Sequence, residues 1–207
     1  MSEEKRGARP LEEMSLQELW ALFPIFLVPP NPDWAIRYET MARRLRILLR
    51  GMVGVQIHHV GSTAVPHIWA KNIVDVLIET PEDADFAAVK RLLLADGFRL
   101  MSEEACRMSF NLGYTPEGFA DPVYHLHLRR SGDHDELFFR DYLRGHPKVA
   151  RAYEALKLRL WKDYENDRDG YTAAKGEFVR HWTKAAKEEA AACSWWKDDP
   201  TTGRGTA

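Results

Sequence analysis

The chain has 207 residues, enough for one domain with a sizeable core, and its 45% apolar and 29% charged residues are typical of a soluble globular protein. A formal net charge of −2 argues against a strongly basic nucleic-acid-binding surface. Cys106 and Cys193 lie far apart and indicate neither a disulfide framework nor a cysteine zinc site. No apolar run approaches the ~18 residues of a membrane span, and the polar N-terminus lacks a signal peptide's apolar core. The cytoplasm is therefore the expected location.

Apolar periodicity and the positions of Gly and Pro predict the elements in chain order. Residues 1–14 are expected to be mobile, residues 15–192 to form a single domain, and residues 193–207 to form a flexible tail. We predict helices within 15–28, 31–50, 81–97, 135–144, 147–164 and 171–192, strands at 53–60, 72–79, 98–101, 107–112 and 123–128, and a loop at 113–121. This order indicates an α/β (α+β) fold, a short mixed sheet flanked by helices with a helical C-terminal third.

A Gly-Ser turn between two apolar runs is the first candidate site. Val60 ends a predicted strand, Gly61 and Ser62 interrupt it, and a short helical segment that includes Thr63 follows. Such a turn can bind phosphate, because it presents free backbone amides, a hydroxyl group and the positive end of a helix dipole. A Gly-Ser pair is also a common tight turn, so the pair alone leaves both interpretations open.

Asp75 lies in the middle of the next apolar strand, where an acid is costly to bury without a partner. The short connection from Ser62 suits one crossover between neighbouring strands, so the carboxylate and the turn are predicted to face one cleft. Strand alternation puts Asp75, Leu77 and Glu79 on the same face, with Glu79 about 13 Å from Asp75, too far to share a metal ion. Asp75 is a candidate metal ligand, or else a structural partner for backbone amides or a basic residue.

His125 and His127 share one face of a later strand, while Leu126 and Leu128 occupy the other. Two imidazoles roughly 7 Å apart along a strand can bind one metal ion. With Asp75 they match the two-His-one-carboxylate pattern of metal sites, and they are also candidates for acid–base catalysis. The alternative is a pair of hydrogen-bonded inner-face residues.

Two basic residues complete the candidates. Lys71, just before the Asp75 strand, can neutralise a bound phosphate or pair with Asp75, and Arg140 can add a further cation to the cleft. The neighbours Asp141 and Arg144 favour the alternative for Arg140, a solvated helix face with local salt bridges. The candidate phosphate- or nucleotide-binding residues are Gly61, Ser62, Thr63, Lys71 and Arg140.

Several stretches resemble the GrpB-like proteins, a family of the nucleotidyltransferase superfamily. The resemblance covers about residues 16–190 in order. Its motifs are HVGSTAVP at 59–66 with Lys71 and Asp75, YHLHL at 124–128, FRDYLR at 139–144 with HP at 146–147, AYEALK at 152–157 and YTAAK at 171–175. In addition, ELWALFPI at 18–25 resembles an N-terminal extension found in part of the family.

The resemblance implies a nucleotidyltransferase-like fold with a short mixed sheet. In active members of that superfamily a Gly-Ser turn holds nucleotide phosphates, two acids two residues apart bind divalent metal, and a later strand supplies a third acid. Gly61 and Ser62 match the turn and Asp75 matches the first acid, but Leu77 stands in place of the second, and the later strand offers histidines. Two-metal transfer neutralises charge on both the attacking and the leaving oxygen, and the superfamily uses several acids to hold the metals. This sequence offers one carboxylate, Asp75, at the matching positions.

The residues and the resemblance together predict a protein that binds a nucleotide or a small phosphorylated ligand, rather than nucleic acid or a membrane. The first hypothesis is nucleotidyl or phosphoryl transfer to a small substrate, with Mg²⁺ or another divalent cation on Asp75, His125 and His127. One alternative is a catalytically degenerate module that binds a nucleotide or anion. Another is a metal-dependent hydrolase-like site built from the same three residues. Some family members are fused to a dephospho-coenzyme A kinase, which also points to nucleotide metabolism.

Overall fold

Five strands form one mixed sheet in the computed structural model, which describes residues 9–193. The strands are β1 (Gln56–Val60), β2 (Ile73–Thr80), β3 (Arg99–Glu103), β4 (Arg107–Thr115) and β5 (Gly118–Arg130). The helices are α1 (Leu16–Leu22), α2 (Asp33–Leu48), α3 (Phe86–Ala95), α4 (Asp135–Gly145), α5 (Pro147–Asp163) and α6 (Arg168–Cys193). The predicted mixed sheet and helical C-terminal third are confirmed. No helix within residues 9–193 is long and apolar enough to cross a membrane.

The sheet has the strand order β1-β2-β5-β4-β3. Strands β2 and β5 pair in parallel, whereas the other neighbouring strands pair antiparallel. The register sets Asp75 opposite His125 and Leu77 opposite His127. Residues paired in register share a sheet face, so the acid and both histidines project to the same side. The sheet thereby creates the predicted Asp–His arrangement.

The main hydrophobic core lies on the other face of the sheet. Val74, Val76 and Ile78 of β2 pack there with Leu126 and Leu128 of β5, against apolar side chains from α2 and α3. On the Asp75 face, Leu77 is fully buried and contacts Val60 and Leu137. Leu77 is thus an apolar core residue beneath α4, at the position where the superfamily pattern has its second acid.

Two predicted helix starts differ in their outcome. The side chain of Asn31 accepts a hydrogen bond from the Asp33 amide at 2.9 Å, so the predicted Asn-Pro start of α2 is confirmed to within two residues. The predicted start of α3 near residue 81 is wrong, because Asp85 caps this helix by accepting from the Ala88 amide at 2.9 Å. A capping carboxylate satisfies an otherwise unpaired helical N–H, and it fixes the helix start at Phe86.

The predicted loop at 113–121 is also wrong, since β4 and β5 continue through it to a tight hairpin. The Thr115 hydroxyl donates to the Gly118 carbonyl at 3.0 Å and accepts from the Glu117 amide at 3.2 Å. A register shift accommodates Gly113, whose φ of 92° suits glycine. Aromatic packing stabilises the extension: Phe23 lies 4.7 Å from Tyr114 and 5.0 Å from Phe119, between ring centroids.

The two ends of the domain meet over the Asp75 face. The Ile25 amide donates to the Glu165 carbonyl at 2.7 Å, and Ile25 packs with Leu160 and Tyr171 in a small buried cluster. Before the predicted domain start at residue 15, Leu11–Glu13 forms a short 3-10 helix in which Leu11 is buried. Residues 1–8 of the predicted mobile segment and residues 194–207 of the predicted tail lie outside the described residues.

Candidate functional site

The Gly61 backbone lies against the Asp75 carboxylate. Gly61 has a φ of 71°, and a Cβ atom built on it would lie 2.3 Å from Asp75 Oδ2. Neither that conformation nor that distance suits a larger residue. The following segment, Ser62–Ala64, is a 3-10 helix of only three residues. The expected helix dipole is therefore very small, and positive charge for an anion must come from side chains.

Asp75 contacts both histidines through one oxygen. Its Oδ1 lies 3.3 Å from His125 Nδ1 and 3.4 Å from His127 Nε2, and about a quarter of its side chain remains exposed. Burial raises the pKa of this carboxyl, but hydrogen bonds from His125 and His127 and their nearby charge outweigh burial and hold the pKa well below its usual range. Asp75 is therefore ionised at any physiological pH.

A chain of polar contacts fixes the tautomer of His125. Arg168 Nη2 donates to the Tyr114 hydroxyl at 2.7 Å, and that hydroxyl lies 2.8 Å from His125 Nε2. Because the hydroxyl accepts from Arg168, its own proton is free for Nε2, which leaves the imidazole proton on Nδ1, facing Asp75. Burial also lowers the pKa of His125, against the opposing charge of Asp75. The neutral form of His125 is thereby favoured, with both ring nitrogens engaged.

Asp75 lines a cavity of about 460 Å³. Every other predicted site residue except His125 lines it as well: Gly61, Ser62, Thr63, Lys71, His127 and Arg140. His125 instead lines a neighbouring cavity, which shares Lys71 and Thr172 with the first. The structure therefore brings the predicted phosphate-binding and catalytic residues together, with His127 as the histidine in the Ser62 cavity.

Three lysines dominate the charge of this cavity. Lys157 is almost fully buried on α5, Lys175 is half-buried on α6, and Lys71 is half-buried before β2. Burial is the main cause that lowers their pKa values, to about 7 for Lys71 and Lys157 and about 8 for Lys175, and the mutual repulsion of neighbouring cations adds to it. The negative charge of Asp75 opposes these shifts without cancelling them.

Two tyrosines hold the ammonium groups in place. Lys157 Nζ lies 4.9 Å from the ring centroid of Tyr153, and Lys175 Nζ lies 4.3 Å from that of Tyr171. Lys71 Nζ approaches the same Tyr171 ring at 5.9 Å. An aromatic face attracts a cation but supplies no hydrogen-bond acceptor to it. The rings orient the ammonium groups and leave their N–H groups available to an anion, apart from a bond from Lys157 to the Trp69 carbonyl.

Two of the predicted phosphate-binding residues have other partners. The Thr63 hydroxyl lies 3.1 Å from His59 Nε2, behind the turn. Arg140 forms a bidentate salt bridge with Asp141, at 2.6 and 2.8 Å, and donates to the His59 carbonyl at 2.9 Å. These contacts support the structural interpretation of Arg140, as a guanidinium that ties α4 to the end of β1.

The predicted divalent cation finds a poor donor set. Mg²⁺ prefers oxygen ligands, whereas Asp75 is one carboxylate between two imidazoles, and His125 has no free ring nitrogen. Within residues 9–193, no three or more His, Cys, Asp or Glu side chains are grouped so as to hold a metal ion. The residues do not fit a two-metal centre.

Lys157 and Lys175 were missed by sequence reasoning, although a signal was present. Each follows a buried tyrosine by four residues, Tyr153 on α5 and Tyr171 on α6. Residues four apart on a helix share a face, so each lysine lies on the stripe that faces the sheet. Lysine is almost never fully buried without a partner, so two such pairs on successive helices are a sequence signal for a polar cavity on this face.

The structure is a mixed α/β domain with a Gly-Ser turn, an ionised acid on the adjacent strand and a cavity lined by lysines. The chain belongs to the GrpB protein family, which matches residues 24–185. The crystal structure of conserved protein GrpB from Enterococcus faecalis superposes with a TM-score of 0.67 at 25% identity, over 79% of this chain and 98% of that one. The expected family resemblance is confirmed.

Relatives extend beyond this domain. A UPF0157 protein of Pseudomonas aeruginosa is 36% identical over 158 residues, which cover 75% of this chain and 64% of that protein. UPF0157 protein YqkA of Bacillus subtilis is 28% identical over 196 residues, or 93% of this chain and 54% of that protein. This chain thus spans less than two thirds of the length of either relative.

Two further proteins that are similar to this chain are named as enzymes. A dephospho-CoA kinase of Mycolicibacterium paratuberculosis is 27% identical over 197 residues, which cover 83% of this chain and 48% of that protein. The Cid1 poly(U) polymerase, in a structure with MgGTP bound, superposes with a TM-score of 0.46 at 14% identity, over 72% of this chain and 47% of that one. A structural likeness of that extent carries no argument about function.

Proposed function

We propose that the cavity beside Asp75 binds a small phosphorylated molecule, a nucleotide among the candidates, through Lys71, Lys157 and Lys175. The observation that carries the proposal is the cluster of three lysines around one carboxylate in this cavity, which we call the anion pocket. Burying a cation is costly unless a counter-charge compensates it, and Asp75 is one carboxylate among three lysines. A polyanion would restore the balance.

The other acids that line the cavity do not alter this balance. Asp135 pairs with Lys187, and Glu136 contacts Arg129 at 3.3 Å. The opposite wall of the cavity can also bind phosphate, because the Gly61 backbone and Ser62, which has a hydroxyl group, both line it. The similarity to a dephospho-CoA kinase supports a nucleotide-related ligand in coarse terms.

Nucleotidyl or phosphoryl transfer is the reaction that this site would perform, since His127 lines the same cavity as Ser62 and lies 3.4 Å from Asp75. His127 would take the proton of an acceptor hydroxyl as its oxygen attacks phosphorus. The leaving phosphate would carry away the bonding electrons, and the lysines would stabilise the charge on it.

Calorimetric titration with inorganic pyrophosphate tests the binding proposal, since it contains phosphate without a base or sugar. Each of Lys157→Met and Lys175→Met should weaken binding at pH 7 about tenfold, because a charge-assisted hydrogen bond is lost. Lys162→Met and Lys184→Met are matched controls, exposed lysines on the same two helices, and should bind as the natural chain does. Equal losses in all four variants would overturn the proposal.

Asp75→Asn separates direct lysine binding from a metal bridge. If the lysines bind the anion directly, loss of a negative charge should tighten metal-free pyrophosphate binding at pH 6, where the lysines are protonated. If Asp75 holds a metal that bridges to phosphate, binding should require Mg²⁺ or Mn²⁺ and disappear in Asp75→Asn. Binding that needs the metal and is lost in the variant would restore the metal role.

A further inference from the structure

A second cavity, of about 510 Å³, lies beside the anion pocket. Lys71 and Thr172 line both cavities, so the two share a wall. His125 and Tyr114 line the second cavity, whereas His127 and Asp75 line the first. Its volume lies within the range of small-molecule sites. The Asp75–His125 pair thus stands between two spaces of ligand size.

The walls of the second cavity are mainly apolar, in contrast to the lysine-lined first. The apolar side chains include Leu16, Leu19, Trp20, Phe23, Leu100 and Met101. Leu16 and Met101 are 55% and 54% exposed, so the apolar wall is accessible from solvent. Among the charged residues that line it, Arg99 pairs with Glu12, Arg168 bonds the Tyr114 hydroxyl, and Lys71 and Asp169 carry opposite charges. The apolar walls favour a mainly apolar occupant.

One polar group in this cavity lacks a partner. Asn111 lies opposite His125 in the β4–β5 register, and its side chain lines the cavity although the residue is only 9% exposed. Among the described residues its side-chain amide has no hydrogen-bond partner, unlike the neighbouring His125 and Tyr114. Because Asn111 lines the cavity, its amide can donate to and accept from a polar group of a ligand there.

We infer that this cavity is a second ligand site, for an uncharged, mainly apolar molecule that presents one amide or hydroxyl group to Asn111. Aromatic and aliphatic walls would bury the apolar body, and the Asn111 amide would fix its orientation. The inference goes beyond the proposed function and does not depend on it, because the lysines of the anion pocket, apart from the shared Lys71, take no part. If both sites are filled, the two ligands lie side by side.

Equilibrium dialysis with two probes tests this site. The probes are 2-naphthamide, an uncharged aromatic body with one amide, and 2-methylnaphthalene, which lacks the amide. Both should bind at one saturable site, and Leu16→Ser with Met101→Ser should weaken both several-fold because the apolar wall is lost. Ile47→Ser is the matched control: Ile47 is 61% exposed, lies outside the cavity, and should leave both probes unaffected.

Asn111→Leu, which preserves the side-chain volume, isolates the hydrogen bond. It should weaken 2-naphthamide about fivefold and leave 2-methylnaphthalene unchanged or bound more tightly. Circular dichroism establishes that each variant is folded. Absence of saturable binding, or equal effects of the cavity and control variants, would overturn the site, and equal weakening of both probes in Asn111→Leu would overturn its role. Pyrophosphate titration of the natural chain reports separately on the anion pocket, so either proposal can fail alone.

Discussion

Strand β2 carries two acids that each contact two histidines, but of the two only Asp75 lines either of the two cavities described above. Asp75 meets His125 and His127 at 3.3 and 3.4 Å and lines the anion pocket with about a quarter of its side chain exposed. Glu79 meets His58 and His134 at 3.1 and 2.8 Å, and its side chain is only 5% exposed.

The two acids have similar histidine partners and differ in what surrounds them. Glu79 also accepts the Gly132 amide at 3.2 Å, so it joins β2 to the turn after β5 as a structural brace. Burial raises its pKa, but contacts with His134 and His58 prevail and hold the pKa at about 2. An acid with two histidines becomes a candidate site only where cations and open volume lie beside it.

Glu79→Gln is expected to give the largest change and to separate the two acids. Breaking a buried charged cluster costs about 3 kcal/mol, so urea unfolding should show a loss of this order. Pyrophosphate affinity should be unchanged. Because the folded pKa lies below the unfolded value, Glu79 stabilises the fold above pH ~4.5 and loses this effect as pH falls towards 2. A variant as stable as the natural chain at pH 7 would contradict the brace.

Gly61→Ala tests the other acid through its backbone neighbour. The new Cβ would meet Asp75 Oδ2 at 2.3 Å in a backbone conformation that alanine disfavours, so we expect a loss of about 2–3 kcal/mol. Gly51→Ala is the control, since a Cβ there meets nothing within 4 Å. Urea unfolding compares the two, and equal stabilities would show that Gly61 does not confine the carboxylate.

The lysines give the Asp75 region a pH dependence above neutral pH, whereas that of Glu79 lies on the acid side. Lys157 has a pKa of about 7 in the folded chain and about 10.4 when unfolded, so the unfolded chain binds more protons between these values. Without anion, stability should therefore rise between pH 7 and 9.5, by up to about 1 kcal/mol per pH unit for each such lysine. Thermal melts should show a smaller slope in Lys157→Met than in Lys162→Met, and equal slopes would contradict these pKa values.

Tyr114→Phe is expected to give the smallest effect, a loss of about 1 kcal/mol. Without the phenol proton on Nε2, the neutral form of His125 loses a stabilising hydrogen bond, so its pKa should rise. An NMR titration of the imidazole resonances measures this shift, with His134 beside Glu79 as an internal reference. A fall in the pKa of His125 would show that the tautomer assignment is wrong.

The sequence predicts the part of the site that lies on the strands and the Gly61 turn. Strand alternation and the β2–β5 pairing bring Asp75 to His125, and the turn at Gly61 follows from local chemistry. It does not predict Lys157 and Lys175, whose place in the cavity depends on how α5 and α6 dock, a long-range effect. Nor does it predict the hairpin around Thr115, because Pro116 and Gly118 favour a loop while packing on Phe23 extends the strands.

The order of the site residues along the chain also determines when the pocket can form during synthesis. The turn at Gly61, Asp75 and His127 are complete once β5 has emerged from the ribosome, but Lys175 follows on the last helix. A nascent chain therefore displays the acid and its histidines before the lysines that complete the pocket. We expect the anion to be bound only after α6 has been synthesised, so the ligand would not compete with sheet formation and would stabilise the docking of α6.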